Sequence, residues 1–67
     1  MNFNLEELML MILYNSGSRL GLIHELRLMQ CYLMPDETAL RELSEGVIGK
    51  LKLLTDAEFG ELDFPPD

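Results

Sequence analysis

The residues with the widest chemical repertoire in this chain are His24 and Cys31, the single histidine and the single cysteine. His24 stands beside Glu25, a pairing that suggests proton transfer. Neighbouring residues on a helix point about 100° apart, so the two do not face each other. His24 is expected as a surface or boundary residue. Cys31 would need a lowered pKa to act as a nucleophile, from nearby positive charge or a helix N-terminus. It falls at the end of a helical segment, where the dipole works in the opposite sense, so it is expected as a small buried hydrophobe. One cysteine and one histidine cannot build a structural zinc site. The acidic pairs Asp36-Glu37 and Asp56 with Glu58 lack the ligand spacing of a calcium loop. Ser16 and Ser18 flank Gly17 as a turn and a cap, without a phosphate-binding loop around them. No catalytic set, metal site or cofactor site is expected, and the chain is expected not to be an enzyme.

The remaining candidates are residues for binding. Arg19 and Arg27 lie eight positions apart, about two helical turns, and so share one helix face. They form either a small contact patch for a carboxylate or phosphate, or two internal salt bridges to acidic residues further along. Tyr32, Glu42 and Glu45 complete the set of candidate partner contacts. Met9, Met11, Met29 and Met34 are expected as core filler.

Four helical segments must position these residues. Asn4 and Glu7 form a capping box that opens a helix over Leu5–Tyr14. Leu5, Leu8, Met9 and Ile12 are read as its stripe, with Leu10, Met11 and Leu13 opposite. A short helix apolar on nearly all sides must be central or must meet a second chain. Asn15-Ser16-Gly17 ends it. Ser18 caps a second helix from Arg19 to about Leu33, with Leu22, Ile23, Leu26, Met29 and Leu33 on one face. Pro35 stops that segment, and Asp36 is expected to cap a third. There Leu40, Leu43, Val47, Leu51 and Leu54 recur at spacings of three and four. Gly46 and Gly49 mark a close crossing or a local break. Thr55 and Glu58 make a second capping box for a short last helix carrying Phe59 and Leu62. No strand pattern occurs. The expected fold is all-α, a three-helix bundle with a short fourth helix at the C-terminal end, ordered over about 4–63 with a tail at 64–67.

With 67 residues, 48% of them hydrophobic, the chain fits one small globular domain. Five Lys+Arg against twelve Asp+Glu give a net charge of −7. Nucleic-acid binding draws on phosphate neutralisation, so direct binding is unlike this charge. The acid is unevenly placed: residues 1–34 carry two basic and three acidic side chains, net −1, and residues 35–67 carry three and nine, net −6. An electropositive partner would meet the second half. One cysteine, no signal-peptide pattern and no long apolar run predict a cytoplasmic protein without a membrane segment.

Several stretches together resemble a known family: YNSGSR at Tyr14–Arg19, IHELR at Ile23–Arg27, YLMPDE at Tyr32–Glu37, IGKL at Ile48–Leu51, LTDAEF at Leu54–Phe59, and Leu62-Asp63. In this order and spacing they are similar to the small transposon-transfer assisting proteins, mobile-element accessory proteins of clostridial relatives. The likeness runs from about Leu5 to Asp63. It implies a small helical accessory protein encoded on a conjugative transposon or integrative element, with no catalytic residues to carry over. The expected function is an adaptor that binds a protein of the transfer or excision machinery. The alternative is a small mobile-element regulator, or an acidic mimic acting on a DNA-binding protein. A homodimer remains open.

Overall fold

The computed structural model describes residues 3–15 and 17–62. Four helices follow in order: α1 Leu5–Tyr14, α2 Arg19–Cys31, α3 Thr38–Leu53 and α4 Asp56–Gly60. The architecture is the expected all-α bundle of three helices with a short fourth. Residues 63–67, including the tail at 64–67, lie outside the described residues.

Local chemistry fixes most helix ends. The Glu7 backbone N–H donates to Asn4 Oδ1 at 2.8 Å, and the Asn4 N–H donates to Glu7 Oε1 at 2.9 Å. This reciprocal pair satisfies two N–H groups that the first turn would leave free. Gly17 takes a φ of +96°, where a side chain would be strained, and its N–H is held by Asn15 Oδ1 at 2.9 Å. Ser18 Oγ then accepts from the Gly21 N–H at 3.0 Å and opens α2.

The start of α3 differs from the expectation. Asp36 does not cap it. Pro35 instead occupies the second position of a turn closed by the Glu37 N–H donating to the Met34 carbonyl at 3.0 Å, a place where its fixed φ is favoured. Glu37 then takes the N-cap position with no side-chain cap bond, because its carboxylate reaches back to the Met34 N–H at 3.2 Å. At the other end of the connection α2 stops at Cys31, about two residues early, in a tightened last turn.

The core joins Leu10 and Met11 of α1, Leu22 and Leu26 of α2, and Val47, Ile48 and Leu51 of α3. Phe59 and Leu62 pack α4 and its following residues against it. The rotation of α1 corrects the expectation: Glu7, Leu10 and Met11 are buried, while Leu5, Met9 and Leu13 are exposed. Met9 and Met34 are exposed too, so among the four methionines named above the role of core filler falls to Met11 and, in part, Met29. Cys31 is likewise exposed and not a core residue; it is the last residue of α2. α3 runs unbroken through Gly46 and Gly49; a Cβ at Gly46 would lie 3.6 Å from Glu7 Oε2, which marks where α1 crosses α3.

Among the described residues no buried side-chain polar atom lacks a hydrogen-bond partner. Ser44 Oγ donates to the Arg41 carbonyl at 2.9 Å and accepts from Gln30 Nε2 at 2.8 Å, tying α2 to α3. Thr55 Oγ1 accepts from the Glu58 N–H at 3.1 Å, and the Glu58 carboxylate returns the bond to the Thr55 N–H at 2.9 Å. Hydrogen bonding to the Glu58 carboxylate, first from the Thr55 N–H and then from the Thr55 side chain, holds that carboxyl below the usual glutamate range. Thr55→Ala is therefore expected to cost about 1 kcal/mol, read as a lower urea midpoint. An unchanged midpoint would show that α4 does not need its cap.

Candidate functional site

Glu25, Leu28 and Met29 of α2 and Tyr32, its C-cap residue in helical conformation, stand at i, i+3, i+4 and i+7 and so form one face. This face meets Tyr14 from the end of α1, Leu33 just beyond α2 and Leu40 early in α3, enclosing an open groove of about 470 Å³. Its walls are apolar with a single carboxylate. Tyr32 is 84% exposed, and Leu28 is exposed as well. Glu25 is half-buried and makes no ion pair among the described residues. Large side chains thus stand at the rim of an open, mostly apolar groove.

The five candidate contacts fall in different places. Tyr32 lines the groove. Arg19 is only 17% exposed at its side chain; its Nε donates to Asp56 Oδ1 at 2.9 Å and its Nη1 to the Leu51 carbonyl at 3.2 Å. It thereby caps the last turn of α3 and fastens the start of α4. Arg27 Nη1 lies 3.6 Å from Glu45 Oε1, a half-exposed pair bridging α2 and α3 on a face of α2 that does not line the groove. Glu42 is exposed on α3. The reading of the two arginines as internal salt bridges to the acid-rich half describes their geometry, and Arg27 keeps enough exposure for a contact as well.

Sequence reasoning did not single out Tyr14, Glu25, Leu28, Leu33 and Leu40 as site residues. The signal for part of the set was present. Glu25, Leu28 and Tyr32 form a second stripe on α2 beside the core stripe, and Leu28 is the leucine of α2 that fits the second better. Tyr14 and Leu40 come from other helices, and nothing local ties them to α2.

A second feature was also missed. Glu7 is 5% exposed, and its Oε1 accepts from Lys50 Nζ at 2.6 Å. Lys50 also stands 5.4 Å over the Phe3 ring, within cation–π range. Burial pushes the Glu7 carboxyl up, but the hydrogen bonds from Lys50 and the Asn4 N–H, with the lysine charge, outweigh it and leave the carboxyl below the usual glutamate range. This pair lies against the core and outside the groove, so its role is to hold α1 on α3.

Among the described residues no group of three His, Cys, Asp or Glu could hold a metal ion. No helix among them is long and apolar enough to cross a membrane. The model of the family described as "Putative transposon-transfer assisting protein" matches residues 3–66. The chain belongs to this family. The match spans nearly the whole chain, so α1 to α4 and the α2 groove all fall within the transposon-transfer assisting family's own sequence. The family description carries a role in transposon transfer as an assisting protein. No curated protein and no solved structure matches the chain.

Proposed function

We propose that this chain is a non-enzymatic accessory protein of a conjugative transposon or related integrative element, acting in the cytoplasm by binding a protein of the transfer or excision machinery. The observation that carries this reading is the α2 groove: apolar walls, an exposed Tyr32 and a half-buried Glu25 that has no ion pair among the described residues. While the groove is wet, the carboxylate is solvated. Covering it with an apolar group alone would strip that solvation without return. The matching segment of the partner therefore presents apolar side chains with a Lys or Arg opposite Glu25, as an amphipathic helix laid in a groove does. The net charge of −7 favours encounter with a basic surface. Glu42, Glu45 and Arg27, which do not line the groove, supply contacts beyond it in this reading, and Arg19 acts by holding α4.

The test is a titration with the relaxase, recombinase and coupling protein of the parent element, at low and at high salt. Affinity for the true partner is expected to fall about ten-fold or more between roughly 50 and 500 mM salt, as screening removes the long-range attraction. Affinity that is flat across that range would remove the electrostatic part of the reading. A gel shift with the element's own DNA is expected to show no direct binding; if DNA alone were shifted, the regulator reading would replace this one.

A further inference from the structure

We propose that the outer face of α1 is a self-association surface, where two copies of this chain meet across a two-fold axis. Leu5, Met9, Ile12 and Leu13 stand at i, i+4, i+7 and i+8 and form one stripe. Glu7, Leu10 and Met11 are the buried side of the helix, so this stripe points away from α2 and α3. Leu5 is 64% exposed, Met9 55% and Leu13 78%. A quarter of the chain's residues are charged (25%), yet the stripe carries no charge; Glu6 stands only at its edge. The outer face of a surface helix is normally its polar one, so an apolar outer face is built to be covered.

The charge distribution selects the occupant. A basic protein is attracted to the acid-rich residues 35–67, net −6, and has no electrostatic reason to seek α1. Residues 1–34 carry only −1, so a second copy approaching α1 meets little repulsion while α3 stays behind, on the far side of the helix. The spacing is also self-complementary. Leu5, Met9 and Leu13 are symmetric about Met9, so antiparallel helices place Leu5 against the partner's Leu13 and Met9 beside the axis, as an isologous contact requires. Each stripe side chain offers roughly 100 Å² of apolar surface. The pair therefore buries well under the roughly 1,200–2,000 Å² of a stable complex, which makes it a weak dimer that depends on concentration.

Sedimentation equilibrium of the full chain from about 10 µM to about 1 mM tests this, a range suited to a weak dimer. The average mass is expected to rise from 7.7 kDa toward twice that value. Added salt is expected to move the rise to lower concentration, because it screens repulsion between the two acidic copies. That is opposite in sign to the salt effect on the proposed partner complex, so the two surfaces can fail separately. Met9→Glu and Leu13→Glu, both at exposed positions, are expected to abolish the rise with helical circular dichroism unchanged; Leu28→Glu, in the groove, is expected to leave it intact. A mass of 7.7 kDa at every concentration, or a dimer indifferent to Met9→Glu, would overturn the proposal.

Discussion

Replacing Lys50 with methionine lowers the thermal midpoint by roughly 8–16 °C, from a loss of about 2 kcal/mol in a domain where each kcal/mol moves the midpoint about 4–8 °C. The cause is the carboxylate left behind. Glu7 is 5% exposed, and without the 2.6 Å contact to Lys50 it keeps only the Asn4 N–H. Removing one partner of a fully buried pair costs about 3–5 kcal/mol; the Lys50 side chain is 34% exposed, so water can replace part of what is lost. Against a net stability of about 3–5 kcal/mol for a domain of this size, the effect is large. A double variant, Glu7→Leu with Lys50→Met, is expected to recover most of the loss, because apolar packing replaces the pair without an orphaned charge.

The pH dependence gives this account a sign. The folded Glu7 carboxyl titrates below its unfolded value, near 4.3. The stability it contributes is present above that unfolded value and is lost as pH falls through the folded one. In Lys50→Met, burial acts with less opposition and pushes the carboxyl up, so its protonation relieves the strain. The midpoints of the parent and the variant are expected to converge between pH 7 and about pH 4. An equal gap at both pH values would mean that Lys50 does not act through Glu7.

The second large effect falls on binding. Tyr32→Ala is expected to weaken the partner complex about 30-fold, the size of an aromatic hot spot of about 2 kcal/mol. Tyr32 is 84% exposed, so the same change should leave the unfolding midpoint nearly unmoved. Glu25→Lys should weaken the complex as well, and more at low salt than at high, because it places a cation opposite a cation. A calorimetric titration of each variant reads both effects. If Tyr32→Ala bound as tightly as the parent chain, the groove would not be the contact.

The bounds of α1, the start of α2 and the position of α4 were legible because each rests on a local cap: Asn4 with Glu7, Ser18, and Thr55 with Glu58. The stripe of α3 was legible because it repeats over four turns. The rotation of α1 was not. A helix that is apolar all round gives no direction, and what sets it is Glu7 meeting Lys50, 43 positions away. The start of α3 was misplaced because Pro35 suits a turn and a first helical turn equally well. Of the groove, Tyr32 was legible as an aromatic with no role in the core. Its neighbours come from three helices, and that convergence is a property of the packed bundle. The acid-rich half was visible as a source of partners for Arg19 and Arg27, but the choice of Asp56 and Glu45 depends on how α4 and α3 pack.

The most direct measurement is a paired capture from a host carrying the parent element, with the tagged chain and its Leu28→Glu, Tyr32→Ala double variant as baits, both shown to be folded. The account predicts that the parent bait retains an element-encoded transfer or recombination protein at low salt and releases it at high salt, while the variant retains none. Equal retention of that protein by both baits would contradict the groove as the working surface, and recovery of no transfer or recombination protein by the folded parent bait would contradict the accessory role itself.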